Sequence, residues 1–142
     1  SLEETLGLTV ELSVAGDTSL FIADRNEGNY DFFLGGWYSD YNDPLDFLYT
    51  NYTDAYGMSF GGYSNPDYDA LADQLVGETD MDKRLDIYKQ MEQILLLDDC
   101  AFAPIYYATK QVLLQNWVKD YRTSYFGASA EFIWTYIDGK NQ

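Results

Sequence analysis

A chain of 142 residues is long enough for one ordinary domain, and its hydrophobic share of 46% is that of a protein that folds around a core. Eight basic and 24 acidic side chains give a net charge of −16, which repels a phosphate backbone, so we expect no nucleic-acid partner. The chain has no His and a single Cys, which excludes the usual general base and an internal disulfide.

The first residues predict a helix followed by a strand. Residues 1–6 are typical of the end of a longer helix, whose beginning we expect to lie outside this chain, and Gly7 is suited to ending it. Apolar and polar side chains then alternate over residues 8–14, which indicates a half-buried strand.

A short helix and a second strand are predicted next. Asp17 or Thr18 can cap a helix that stops near Gly28, and residues 30–34 form a nearly continuous apolar run, as in a strand buried on both faces. A strand, a helix and a strand within about 30 residues predict a right-handed βαβ unit with a parallel sheet.

Helices dominate the middle of the chain. A short helix is predicted at 44–49, and Asn65-Pro66 supplies an N-cap followed by Pro for a helix that ends near Gly77. A longer helix over 81–97, capped by Thr79 or Asp80, has an amphipathic stripe. The stripe consists of Leu85, Tyr88, Met91, Ile94 and Leu95.

Strands are predicted again after this helix. They cover 101–108 and 112–114, a loop covers 117–131, and 132–137 is a last apolar segment. Cys100 is expected to be a small buried hydrophobic residue. The chain is therefore predicted to be an α/β lobe with a mixed sheet flanked by helices.

Residues 35–44 form the segment best suited to binding a ligand. They begin where a predicted strand ends, and ligands of open α/β sheets bind at the carboxyl ends of the strands. Two glycines allow close approach of a ligand's main chain, Trp37 offers an apolar wall, and Asp40 and Asp43 offer negative charge for a cationic or amine-bearing ligand. An Asx-rich surface turn explains the same residues equally well.

The sequence resembles the oligopeptide- and dipeptide-binding proteins of ABC importers, solute-binding protein family 5, over about residues 5–137. The motifs that carry the resemblance are Tyr30-Asp31, Gly36-Trp37, Asp40-Tyr41-Asn42-Asp43-Pro44, Phe47-Leu48, Tyr63, Asn65-Pro66, Tyr68-Asp69, Arg84-Leu85, Tyr88, Pro104, Tyr106-Tyr107, Val112 and Trp117.

The resemblance implies a place in a larger protein. Residues 1–142 are then a fragment of the C-terminal, second lobe of a two-lobed periplasmic-binding-protein-like fold, with 132–142 returning toward the first lobe. The whole protein is implied to be membrane-tethered and extracytoplasmic, to capture oligopeptides for uptake, and to deliver them to the permease subunits of the importer. We expect a binding lobe without catalysis, without a cofactor and without a metal site.

Four site residues follow from the same resemblance. The aspartate that matches Asp40 pairs with the α-amino group of the peptide, and backbone groups at Gly36 and Tyr38 hydrogen-bond its main chain as an added strand would. The tryptophan that matches Trp37 lines a side-chain pocket. Tyr38 stands where some peptide binders have a smaller residue, which puts the size of the adjacent pocket in question.

Other ligands and activities remain as alternatives. The family also includes carriers of oligosaccharides, nickel complexes and haem, and an aromatic-rich lobe that binds carbohydrate is the runner-up. Asp40 and Asp43 as a glycosidase-like pair lack a partner that would separate their pKa values. A calcium site at Asp40, Asn42 and Asp43 lacks the rest of an EF-hand loop.

The predicted strand at 8–14 suggests self-association. An unpaired strand edge with apolar side chains is a template for pairing with a second chain. Because the net charge of −16 opposes association most strongly at low salt, we expect a homodimer of this fragment that strengthens as ionic strength rises.

Overall fold

The computed structural model describes residues 2–54, 60–124, 126–127 and 130–140. The first and last residues of the predicted fragment, Ser1 and Gln142, lie outside the described residues. Three positions of the predicted loop at 117–131 also lie outside them. The chain divides into two compact units, Ser1–Gly35 and Gly36–Gln142. No helix within the described ranges is both long enough and apolar enough to cross a membrane.

The first unit contains two helices, both predicted from the sequence. Helix α1 spans Leu2–Leu6 and is followed by Gly7, which has a φ of +67°. The Gly7 amide donates a hydrogen bond to the Glu3 carbonyl at 2.9 Å, and the helix ends there. Helix α2 spans Thr18–Glu27. Asp17 caps it by accepting a hydrogen bond from the Leu20 amide at 2.9 Å, which confirms the predicted N-terminus.

The two strands predicted in this unit are not formed, so the prediction of a βαβ unit was wrong. Residues 8–14 and 30–34 lie in no ladder among the described residues, and Leu12 is 83% exposed. Alternation of apolar and polar side chains assigns residues to faces, whereas a strand also needs a hydrogen-bonded neighbour. Without a preformed strand at 8–14, the expected homodimer loses the edge on which it was based.

Three helices form the core of the second unit. Helix α3 spans Leu45–Tyr52, helix α4 spans Pro66–Leu75 and helix α5 spans Met81–Gln93, with a 3-10 turn at Phe60–Gly62. The predicted caps are confirmed. The side chain of Asn65 accepts hydrogen bonds from the first amides of α4, and that of Asp80 accepts them from the first amides of α5.

The apolar faces of these helices pack against one another. The buried hydrophobic residues are Leu48, Tyr52, Tyr68, Ala72, Leu75, Tyr88, Met91 and Leu95. The Tyr68 hydroxyl satisfies its hydrogen-bonding need inside this core by donating to the Leu48 carbonyl at 2.8 Å. The predicted stripe on α5 is confirmed in its central members, while Leu85 at the margin is 47% exposed.

The end of the long helix differs from the prediction. A π-helical turn at Ile94–Asp98 follows α5, and the Asp99 amide donates to the Ile94 carbonyl at 2.9 Å. Cys100 has a φ of +49° and is exposed, so the expectation of a buried Cys100 was wrong. The residue stands after the helical turns end, where the apolar stripe no longer determines burial.

The described part of the remaining chain contains one small sheet. Residues 101–108 and 112–114, predicted as strands, are exposed and have no ladder partner among the described residues. Strand β1, Val118–Lys119, lies instead inside the predicted loop and pairs antiparallel with strand β2, Tyr136–Ile137. The described fold is helix-rich with a small antiparallel sheet, as in part of an α/β lobe, rather than helices around a mixed sheet.

The buried tyrosines predict loss of stability in alkali. Burial raises the pKa of Tyr52 and of Tyr88 to about 12, and it also raises the pKa values of Tyr63 and Tyr68. Because the folded chain holds these protons more tightly, their stabilisation is complete below the usual value of 10.0 and is lost as pH rises from there to about 12. The urea midpoint is expected to fall in that window, and a constant midpoint would contradict this account.

Candidate ligand-binding site

The predicted site lies on the loop that leads into α3. Gly36, Tyr38 and Asp40 are exposed, and Trp37 is half-buried. A Cβ atom placed on Gly36 would meet no described atom within 4 Å beyond its chain neighbours, and this residue is not among those with positive φ. Neither backbone conformation nor internal crowding therefore accounts for glycine at this position.

Asp46 holds this loop from within α3. Its side chain is 1% exposed, and its Oδ2 accepts hydrogen bonds from Trp37 Nε1 at 2.7 Å and from the Asp40 amide at 3.1 Å. Asp46 lies in the first turn of α3, where the partial positive charge of the helix N-terminus favours a carboxylate. The arrangement fixes the Trp37 ring and the Asp40 main chain relative to one buried oxygen.

Asp43 connects the same loop to α5. Its Oδ2 lies 2.7 Å from Arg84 Nη2, and its Oδ1 accepts hydrogen bonds from the Tyr88 hydroxyl and, at 2.9 Å, from the Leu45 amide. Burial raises the pKa of Asp43, but these hydrogen bonds and the positive charge of Arg84 outweigh burial and hold the pKa below its usual value. Asp43 is thus engaged inside the protein rather than offered to a ligand, contrary to its predicted role.

Arg84 is held in turn by main-chain acceptors. Its Nη1 donates to the Leu75 carbonyl at 3.2 Å and to the Glu78 carbonyl at 3.0 Å. These carbonyls lie at the end of α4 and in the turn before α5, so the guanidinium of Arg84 joins α5 to both of these segments. The loop at 36–44 is therefore tied to α4 and α5 through Asp43 and Arg84.

Two further contacts approach the loop from the second half of the chain. The Gly127 amide donates to the Ser39 carbonyl at 2.8 Å, and Lys110 Nζ lies 5.4 Å from the centre of the Tyr38 ring. The Tyr38 side chain is 62% exposed, so it lies at the surface beside Asp40 rather than filling a pocket.

The sequence predicts a site on this loop but does not indicate which residues hold the loop in place. Asp46, Arg84 and Tyr88 were not assigned to the site. The signals available were Asp43-Pro44 as a helix start and an Arg and a Tyr four residues apart on one face of α5. The alternative of a calcium site requires Asp43 as a ligand, but Asp43 is bound to Arg84. The described residues contain no cluster of three or more Asp, Glu, His or Cys suited to a metal ion.

The Asp43–Arg84 pair predicts an acid-sensitive contribution to stability. Arg84→Met is expected to lower the free energy of unfolding by about 2 kcal/mol at neutral pH, because hydrogen bonds to charged groups are lost. The pKa of Asp43 is lowered, so the stabilisation is complete above its usual value of 3.8 and is lost as pH falls below it. The difference between the two proteins should therefore shrink in acid, as measured by urea unfolding.

Lys89→Met is the matched control for Arg84→Met. Lys89 and Asp86 form an ion pair at 3.5 Å whose two side chains are each 73% exposed. Such a pair contributes little, so this variant should unfold like the unmodified chain at every pH. A difference for Arg84→Met that stays constant in acid would contradict the role given to Asp43.

Comparison with known proteins shows which proteins this chain is similar to. No family model matches the chain. It is 31% identical over 119 residues to the periplasmic oligopeptide-binding protein OppA of Escherichia coli K12, covering 84% of this chain and 21% of OppA. It is 33% identical to the periplasmic murein peptide-binding protein MppA of the same organism, with 84% and 22% covered. The oligopeptide-binding protein OppA of Bacillus subtilis is 32% identical, with 83% and 20% covered.

A solved structure agrees with the sequence comparison. The peptide-binding pheromone receptor PrgZ superposes with a TM-score of 0.76 at 29% identity, covering 96% of this chain and 26% of that one. The chain spans about one fifth of the length of the curated relatives it matches. It belongs, as a segment, to the oligopeptide- and dipeptide-binding protein family of ABC importers, solute-binding protein family 5.

Proposed function

We propose that this chain is part of the substrate-binding component of an ABC importer that captures extracellular oligopeptides for uptake. The observation that carries the proposal is the exposed Asp40 beside Trp37, with the Asp40 main chain and the Trp37 ring both fixed by buried Asp46. A carboxylate held beside an aromatic ring suits the α-amino group of a peptide. The relatives named above are binding proteins, which supports a role in binding without catalysis.

Four residues are assigned to the peptide. Asp40 pairs with its ammonium group, backbone groups of Gly36 and Tyr38 hydrogen-bond its main chain, and Trp37 lines a side-chain pocket. A Cβ atom on Gly36 would meet no described atom within 4 Å beyond its chain neighbours, which supports this assignment, because close approach of a ligand's main chain needs such a position. The indole N–H of Trp37 donates to Asp46, so the pocket contact is assigned to the ring and not to this N–H.

The place of the chain in the whole protein belongs to the same proposal. Residues 1–142 form part of the C-terminal lobe, with 132–142 leading back toward the first lobe, and closure of the two lobes buries the peptide. The whole protein acts at the extracytoplasmic side of the cell membrane, to which it is tethered, and passes the peptide to the permease subunits. Several relatives are named as periplasmic, which supports this location.

A carbohydrate ligand is the second candidate. Tyr38 and Tyr41 are 62% and 45% exposed on either side of Asp40, and exposed aromatic rings suit the apolar faces of sugars. This alternative requires no role for the Asp40 charge, which separates it from peptide binding. A homodimer is not part of either proposal, since residues 8–14 offer no strand edge.

Ligand identity can be tested directly. Mass analysis of the material released when the purified whole protein is denatured should show peptides. Calorimetric titration should then show binding of trialanine, weaker binding of N-acetyl-trialanine and no binding of maltotriose. Equal binding of the two peptides would contradict the amine-based proposal, and binding of maltotriose alone would replace it with the carbohydrate alternative.

A further inference from the structure

We propose that Asp46 is a positioning residue for the peptide's amino group, an inference that rests on the function proposed above. One oxygen, Oδ2, accepts hydrogen bonds from both Trp37 Nε1 at 2.7 Å and the Asp40 amide at 3.1 Å. The aromatic wall and the main chain that carries the Asp40 carboxylate are thereby tied to a single atom.

The Asp46 side chain is not needed to cap its own helix. The start of α3 is served by Asp43, whose Oδ1 accepts from the Leu45 amide at 2.9 Å and whose carbonyl accepts from the Asp46 amide at 3.1 Å. The Asp46 carboxylate instead bonds to the loop residues that precede the helix. Its two hydrogen bonds therefore serve the conformation of the loop.

The burial of Asp46 makes its two hydrogen bonds important for the preference for a charged amine. Asp46 is 1% exposed, and a carboxylate out of contact with water depends on its donors. Because one oxygen takes both donors, loss of that oxygen releases the Trp37 N–H and the Asp40 amide from this anchor together. An ion pair with an ammonium group needs its carboxylate placed to within about half an ångström, so a freed loop should lose its preference for the charged amine.

The inference is tested by the preference for a free amine. In the whole protein, the measured quantity is the dissociation constant of N-acetyl-trialanine divided by that of trialanine. Asp46→Ala is expected to reduce this ratio about tenfold. That is the effect of losing one hydrogen bond to a charged group, here the bond between the Asp40 carboxylate and the ammonium group. Asp46→Asn should restore most of the ratio, because its amide oxygen can accept both hydrogen bonds.

A control and a second variant keep the test decisive. Asp86→Ala removes an aspartate that is 73% exposed on α5 and should leave the ratio unchanged. Trp37→Phe removes only one of the two donors and keeps an aromatic ring, so it should reduce the ratio even where Asp46→Ala fails to fold.

The outcomes separate the two proposals. A ratio that falls in Asp46→Ala and in Trp37→Phe and recovers in Asp46→Asn supports the positioning role. Equal weakening of both peptides in Asp46→Ala, or an undiminished ratio, overturns it, because the residue would then serve the fold alone. A ratio near one in the unmodified protein overturns peptide capture through the amine, and the inference with it.

Discussion

Replacing Met91 with Ala is expected to lower the free energy of unfolding by about 2–5 kcal/mol, the range for truncating a fully buried methionine. Met91 is 0% exposed and belongs to the cluster where α3, α4 and α5 meet. Removing its side chain leaves a cavity that three packed helices can close only in part. Urea unfolding of the chain followed by far-ultraviolet circular dichroism measures the loss as a lower midpoint.

Met81→Ala is the matched control on the same helix. Met81, at the first position of α5, is 63% exposed, so its truncation should change the free energy of unfolding by no more than about 0.5 kcal/mol. If the two variants lose equal stability, the three-helix cluster is not the core. A large change in the urea slope for either variant would show instead that the folded or unfolded state had changed in compactness.

The helices of this protein were predictable because their signals are local. Asp17, Asn65 and Asp80 each stand immediately before a helix and each accepts hydrogen bonds from its first turn. The spacing of apolar residues on α5 likewise placed Tyr88 and Met91 in the core. A cap and a stripe depend on residues a few positions apart, so one sequence is enough to find them.

The strands were not predictable in the same way. Residues 8–14 and 101–108 have the composition of strands, yet neither segment forms a ladder with any described residue. The strands that do form, at Val118–Lys119 and Tyr136–Ile137, join segments 18 positions apart in a register that composition does not indicate. A ladder is a contact between distant segments, and the pattern of one segment does not name its partner.

The candidate site shows the same division. Composition and resemblance led to Trp37 and Asp40, but the hydrogen bond from Trp37 to Asp46 spans nine positions, and that from Arg84 to Asp43 spans 41. Two aspartates three residues apart thus differ in role, since Asp43 is bound by an arginine and Asp40 is exposed. Which of two neighbouring carboxylates is engaged inside the fold depends on contacts that the sequence alone does not reveal.

Asp40→Asn is expected to weaken binding of trialanine to the whole protein by about 2–5 kcal/mol, the cost of leaving a partly buried ammonium group without its partner. Each 1.4 kcal/mol corresponds to a tenfold change in the dissociation constant, so the effect is readily measured by calorimetric titration. The fold should be unaffected, because Asp40 supports the loop through its main-chain amide, and the variant retains that main-chain amide.

The acetylated peptide provides the internal control for Asp40→Asn. N-acetyl-trialanine lacks the positive charge, so it should bind the unmodified protein about as weakly as trialanine binds the variant, and the variant should not weaken it further. Combining the two changes forms a thermodynamic cycle in which the coupling between carboxylate and amine is isolated from other effects. A coupling free energy near zero would show that Asp40 does not contact the amine, even if the variant weakens binding of both peptides.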